Sequence, residues 1–315
     1  MRKNTLKIML AGATLAVCCG GGAYFTANAE DSANSAQTFS MRTGASIRLD
    51  NENSGIRFEA SFGATLPEDA EKYYMMIIPE SYVEKYSLSG DYYGELYAAL
   101  KAEQAENSEE NADTEPSEPY IAAMECDPVE IEGEMRIRGS LTAIKYENVN
   151  RSWFGVAFYT DGEGEKHYAS FNAGENVRDV VYVASKAIAS GDYADDTEKS
   201  AILNTFVTQG YNAANGVSEE NKNNDAHISP EVPENVSVDF QNDAAISYGV
   251  GGIPENVNLY YEIANNNENI VRYGNGTLTA VGSGNAEISV KILGKTLVSN
   301  VTVENSGEAA AAAQG

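Results

Sequence analysis

Ile47 and Leu49, then Ile56 and Phe58, alternate with polar residues on either side of Asp-Asn-Glu-Asn-Ser-Gly at 50–55. Alternation with period two predicts two strands, and the polar segment has turn chemistry, so 45–62 reads as a hairpin. Pairing Leu49 with Ile56 sets Arg48 opposite Arg57 on the other face. Like charges directly across a ladder repel, so this register implies an acidic group or a ligand between the two guanidinium groups.

Further along, 73–78 reads as a strand ended by Pro79, and 81–100 as a helix with Tyr93, Leu96, Tyr97 and Leu100 on one stripe. Residues 104–119, QAENSEENADTEPSEP, nearly lack apolar side chains and read as an exposed acidic loop inside a domain, because strand-like sequence resumes beyond it. An alternating run follows at 129–144, through Ile131, Met135 and Ile137. The densest apolar run is Trp153-Phe154-Gly155-Val156-Ala157-Phe158-Tyr159. Period two places Phe154, Val156 and Phe158 on one face, and Trp153, Gly155, Ala157 and Tyr159 on the other.

Two small residues flanked by two aromatic ones make a shallow floor, and two occupants fit it. One is a helix at 177–190, whose stripe of Val177, Val180, Val181, Ala184, Ala187 and Ile188 would rest on Gly155 and Ala157. The other is a sugar ring, which makes Trp153 and Tyr159 candidate ligand-binding residues. A second helix, opened by Asp195 or Asp196, carries Ile202, Phe206 and Val207 and stops near Asn215-Gly216. Residues 44–216 therefore read as an α+β domain of antiparallel β-sheets with two C-terminal helices.

Residues 217–235 lack periodicity and read as a linker. From 236 to 304 only strand-like runs occur, at 259–263, 270–273, 277–281, 286–292 and 297–303, cut by Asn-Gly, Gly-Ser-Gly and Leu-Gly-Lys turns. That pattern is one of a small β-sandwich. The flanks at 30–43 and 305–315 are polar or low in complexity and read as disordered.

The first 29 residues run from Arg2, Lys3 and Lys7 through an uncharged apolar stretch to Ala27-Asn28-Ala29, the order of a secretory signal peptide cleaved after Ala29. Cys18 and Cys19 lack the small preceding residue that lipidation of a leader cysteine needs. Cleavage removes three basic residues and none of the 47 acidic ones, taking the formal charge from -26 to -29. Such a chain is a poor partner for nucleic acid or an anionic membrane surface. Cys126 then stands alone and reads as a small buried side chain rather than a nucleophile. No further apolar run reaches membrane-spanning length, so the expected location is extracellular or at the cell surface.

The stretch IVRYGNGTLTAVGSGNAEISVKI, 270–292, resembles the group 2 bacterial immunoglobulin-like domain: a strand, an Asn-Gly-Thr turn, a strand with a small-residue turn, and an Ala-x-Ile-x-Val strand follow in that order. The resemblance implies an all-β immunoglobulin-like sandwich, used in bacterial surface proteins as a spacer or adhesin part. GASIRL, GIRF, SLTAIKYENVNRSWFGVAFY and VRDVVYVASKAI, within 44–216, resemble an uncharacterised module of secreted proteins from gut-type Gram-positive anaerobes. That family brings no activity with it.

Catalytic chemistry has little to stand on. The two histidines, His167 beside Lys166 and His227 in the linker, have no sequence company that suggests a triad or a metal site, and no CxxC, HExxH, phosphate-binding glycine loop or GxSxG occurs. Asp161-Gly-Glu163-Gly-Glu165 lacks the spacing of a calcium loop and reads as a solvated turn. No catalytic residue, metal or cofactor is assigned. Arg48 and Arg57 either share a carboxylate of the domain or, with Arg136, Arg138 or Arg151, face an anionic group such as a uronic acid or a wall-polymer phosphate. The expectation is a non-catalytic secreted or surface protein for adhesion, scaffolding or glycan recognition, with an extracellular polysaccharide or another surface protein as partner. The alternatives are a glycan-processing hydrolase using a carboxylate pair and a purely structural surface protein.

Overall fold

A computed structural model describes residues 39–50, 53–109, 119, 121–171, 177–240 and 244–305. The leader at 1–29, most of the polar lead-in and the tail at 306–315 lie outside the described residues. The chain is rich in β-structure, with seventeen strands and four α-helices among the described residues.

Two antiparallel sheets form first. Strands β1 (Ser40–Met41), β2 (Ser46–Arg48), β3 (Gly55–Ser61), β6 (Val129–Ile131) and β7 (Glu134–Thr142) make one sheet in the order β1-β3-β7-β6, with β2 also on β3. Strands β4 (Ala70–Pro79), β5 (Ala123–Glu125), β8 (Trp153–Asp161), β9 (Lys166–Tyr168) and β10 (Val177–Arg178) make the second, in the order β10-β8-β4-β5, with β9 also on β8. Residues 39–43, expected to be disordered, belong to this structure: Ser40 pairs with Ser61, and Phe39 stacks on Phe62 with ring centroids 4.2 Å apart. The stretch at 129–144 is a hairpin rather than one strand, because Glu132 and Gly133, with φ of 56° and 81°, reverse the chain between Ile131 and Glu134. Two consecutive positive φ values are what a two-residue hairpin turn needs.

The faces of β8 settle what covers its small residues. A Cβ on Gly155 would stand 2.5 Å from Phe58 Cδ1, so the phenyl ring of β3 occupies the floor and packs one sheet against the other. The expected helix does not rest there. On the opposite face, Phe154, Val156 and Phe158 share a buried cluster with Met76, Ile78, Leu88 and Leu96, covered by α1 (Glu80–Lys85) and α2 (Tyr92–Glu109). The single helix expected at 81–100 is thus two, interrupted where Ser87 takes φ 54° and Gly90 precedes the cap Asp91. Helix α2 also runs to Glu109, so 104–109, expected as loop, is helical, while 110–118 lies outside the described residues.

Helices α3 (Val180–Ser190) and α4 (Thr197–Ala214) pack on each other, and α3 packs against β2 and β3. Asp179 caps α3, accepting from Tyr182 N, and Asp196 caps α4, accepting from Lys199 N. After α4, the segment from Val217 is tied back by Tyr146 Oη donating to Val217 O and by Asn212 Nδ2 donating to Lys222 O and Asn224 O.

The C-terminal strands make two more sheets. Strands β11 (Asn235–Asp239), β13 (Tyr261–Asn265), β16 (Gly284–Ile292) and β17 (Lys295–Glu304) order as β11-β17-β16-β13, and β12 (Ala245–Ser247), β14 (Val271–Gly274) and β15 (Thr277–Ala280) order as β12-β15-β14. Alternation along β16 buries Ala286, Ile288, Val290 and Ile292 and leaves Glu287 and Lys291 in solvent, which is why this stretch is legible as a half-buried strand. Strand β11 pairs with β17 in parallel, Val236 beside Val301 and Val238 beside Val303. This part of the chain touches α3 directly: Tyr260 N donates to Ser185 Oγ at 2.8 Å, and the rings of Tyr182 and Tyr260 meet edge to face.

Candidate functional site

A cavity lies on the outer face of the second sheet. It measures about 610 Å³ and is lined by Glu80, Ser81, Val83 and Glu84 of α1, Tyr92 at the start of α2, Phe154 of β8, Phe171, and Val177 of β10. Such a volume falls within the range of small-molecule sites, about 300–1,000 Å³.

Each wall has a local cause. Pro79 ends β4, lacking the N–H that would continue the ladder, and α1 starts at once, with Glu80 N donating to Ser152 O at 3.0 Å. Glu80 and Glu84 are four residues apart on this helix, so both carboxylates project on one side. Helix α2 is fixed over the sheet by its cap: Asp91 Oδ1 accepts from Gly94 N at 3.1 Å and from Tyr168 Oη at 2.5 Å, while Tyr168 Oη accepts from Tyr93 N. Burial and the neighbouring Asp91 carboxylate push the Tyr168 phenol well above the ordinary tyrosine value. That clamp places Tyr92 beside Phe154, which in turn pairs across the ladder with Val177.

The floor is aromatic. The Tyr92, Phe154 and Phe171 rings have mutual centroid distances of 5.7, 5.7 and 5.3 Å, with Phe154 and Phe171 edge to face. Phe154 is buried, and Tyr92 and Phe171 are half-buried. Above them, Glu80 and Glu84 are exposed, and neither carboxylate has an ion-pair or hydrogen-bond partner among the described residues. The cavity therefore offers ring faces and edges for an apolar body and two unneutralised negative charges for a polar one.

The sequence-derived candidates do not converge on this or any one place. Trp153 and Tyr159 stand six positions apart on β8 and face the first sheet. Trp153 is half-buried, its indole Nε1 is sealed from solvent, and Arg151 lies over its ring. Tyr159 belongs to an inter-sheet group with Phe39, Phe62 and Tyr73, and its outer side is stacked by His167 at 4.7 Å.

The hairpin register also differs from the expectation. Ile47, not Leu49, pairs with Ile56, so Arg48 lies across from Gly55 and Arg57 across from Ser46. Opposed arginines are avoided: Arg48 reaches Asp50 at 3.2 Å, and Arg57 Nε donates to Ser140 Oγ at 3.4 Å. The buried guanidinium is that of Arg136, whose side chain is 7% exposed and meets Glu59, Glu132 and Glu134 at 3.8, 3.1 and 2.9 Å. Arg138 also reaches Glu59, and Arg42 reaches Glu134. These pairs tie β7 to Glu59 of β3, to Glu132 in the β6–β7 turn and to Arg42 after β1.

A second polar group sits at the far end of β8, where ligand atoms of Asp69, Asp161 and His167 lie within 4.8 Å of one another. Asp161 is already engaged: Oδ1 accepts from Glu163 N and Glu165 N, and Oδ2 meets His167 Nε2 at 2.7 Å. The hydrogen bond from His167 holds the Asp161 carboxyl below the ordinary range and closes the β8–β9 turn. Cys126 is buried and free, its thiol pushed up by burial, with Sγ donating to Met124 O.

No family model matches the chain, and no curated protein is significantly similar to it. Among the described residues no helix is long and apolar enough to cross a membrane.

Sequence reasoning missed Glu80, Glu84, Tyr92 and Phe171 as a group. The four-residue spacing of the glutamates is visible, but their meeting with Phe171 is made by sheet topology across the domain, and no local pattern reports it.

Proposed function

We propose that this chain is an exported, non-catalytic protein of the cell exterior that recognises a polysaccharide through the cavity between α1, α2 and β8, with 236–304 as an immunoglobulin-like spacer. The observation that carries the recognition site is the grouping of Tyr92, Phe154 and Phe171 at the floor of a solvent-connected cavity. Aromatic rings pack against the C–H faces of sugars, and flanking carboxylates accept their hydroxyl hydrogen bonds. The signal-like leader and the strand-turn-strand motif at 270–292 support the location and the spacer role.

The hydrolase alternative has less support. A glycosidase acid is a cleft carboxyl held protonated near neutral pH. Burial pushes the Asp179 carboxyl up to about 6, but Asp179 caps α3, accepts from Asn258 and does not line the cavity.

Retention of the purified protein on insoluble polysaccharides and peptidoglycan tests the proposal. Retention on a polymer, with no reducing sugar released from it, is the expected result. Passage unbound through every polymer overturns it in favour of a structural or protein-binding role.

A further inference from the structure

We infer that the strands at 236–304 are a fixed part of the recognition unit: docked on α3, they hold the β10 wall of the cavity in place. That role rests on the recognition site proposed above and concerns what positions it.

The junction is built like an interior. Helix α3 buries seven of its eleven residues, and a helix apolar on all sides needs cover on all sides. It finds that cover in β2 and β3, in α4, and in β13 and β16. One hydrophobic cluster accordingly runs from Ile56 and Phe58 of β3 through Val181 and Ala184 of α3 to Ile288 and Val290 of β16. Two buried polar side chains are completed only from the C-terminal side. Ser185 Oγ donates to Tyr182 O and accepts from Tyr260 N, both at 2.8 Å, and Asp179 Oδ2 accepts from Asn258 Nδ2 at 2.9 Å. Domains move freely where their interface is small or polar. Here sliding would open a shared core and leave the Tyr260 amide unpaired.

The connecting segment is no tether either. Tyr146 and Asn212 hold 217–224 at one end, and Glu231 and Gly251 exchange two backbone hydrogen bonds at the other. Between and beside them, Ala226, Ile228 and Val232 pack against the shared cluster.

Three consecutive residues carry the junction to the cavity. Val177 lines it and pairs with Phe154, Arg178 pairs with Trp153, and Asp179 caps α3. Strand β10 is two residues long and lies at the sheet edge, so its place depends on the cap that follows, and Asn258 holds that cap. Asn258 and Ser185 are thus positioning residues for a cavity they do not line.

Ser185→Ala/Asn258→Ala in the full chain tests this. The first change raises helix propensity, so any loss comes from the junction. Tyr248→Phe, which removes a buried hydrogen bond to Ser299 within the C-terminal strands, controls for destabilisation alone. Wild type is expected to unfold in one calorimetric transition, with calorimetric and van't Hoff enthalpies agreeing. The junction variant should split that transition in two and, while still folded, shift the emission of Trp153, the one tryptophan of the chain, to the red. Its retention on the polysaccharide that holds the wild type should fall about threefold or more. Asn258→Ala alone, the milder change, should move the same readouts in the same direction. Tyr248→Phe should lower the transition temperature while keeping one transition, unshifted emission and full retention. Two transitions in wild type, or a junction variant that behaves as Tyr248→Phe does, overturn the inference. A split transition with unshifted emission and unchanged retention also overturns it, because the C-terminal strands then do not seat the cavity wall. Failure of wild type to bind any polysaccharide overturns the recognition reading instead, and the transitions and the Trp153 emission still decide the docking.

Discussion

Asp179 Oδ2 accepts a hydrogen bond from Asn258 Nδ2 at 2.9 Å, joining the cap of α3 to the segment that leads into β13. The same carboxylate accepts from Tyr182 N at 2.7 Å, so one buried side chain both starts a helix and holds the C-terminal strands against it. Burial pushes its pKa up to about 6, against the opposing effect of the Tyr182 and Asn258 donors. The ionised form is therefore held at a cost that the unfolded chain, with an ordinary aspartate, does not bear.

The sign of the pH dependence follows. Between about pH 4 and pH 6 the folded chain holds a proton that the unfolded chain has released, so this group's contribution to stability falls as pH rises through that window. Across the whole window the change is on the order of 2–3 kcal/mol. Asp179→Asn keeps an N-cap of similar quality and removes the buried charge. It is expected to unfold in urea no earlier than wild type at pH 7 and to lose the dependence between pH 4 and 6. Asp179→Ala, lacking the cap, should lose about 1–2 kcal/mol. Urea midpoints across pH check both variants.

Gly155 lets Phe58 seat between the sheets, since an added Cβ meets the phenyl ring at 2.5 Å. Gly155→Ala is expected to destabilise by about 1–3 kcal/mol, the usual cost of overpacking a dense core. Pairing it with Phe58→Leu should recover part of the loss, and a double-mutant cycle measures the coupling. Additive losses would mean that the contact does not set the sheet spacing.

Arg136 is the interior member of its ion-pair group, with 7% side-chain exposure against 45% for Arg42 and 36% for Arg138. Arg136→Gln should lower the urea midpoint clearly, because it takes the one buried cation from Glu59, Glu132 and Glu134 together, while Arg42→Gln, at an exposed pair, should change it little. Its hydrogen bond holds the Glu134 carboxyl below the ordinary range. That contribution is present at neutral pH and is lost as pH falls through the carboxylate range, opposite in sense to Asp179.

Much of the fold is legible wherever one face is wet and the other dry. The two-sided pattern of β8, the Asp196 cap, the stop at Asn215-Gly216 and the alternation of β16 all correspond to what is found, since each depends on residues within a few positions. What failed depended on partners far away. The β2–β3 register sets Ile47 rather than Leu49 across from Ile56, although both pack against the core, and alternation alone fits either choice. The occupant of the Gly155 floor came from β3, nearly a hundred positions earlier, rather than from the nearer helix. The site was least legible of all, because Glu84, Tyr92, Phe154 and Phe171 meet only after β8 has taken its place in the second sheet.

The most direct measurement compares Phe171→Ala with Trp153→Ala for retention on the polysaccharide that holds the wild-type protein, each variant first shown to be folded by circular dichroism. Recognition in the α1–α2–β8 cavity predicts that Phe171→Ala loses retention at least tenfold while Trp153→Ala keeps it. Loss in Trp153→Ala with retention intact in Phe171→Ala would contradict the account and return recognition to the other face of β8.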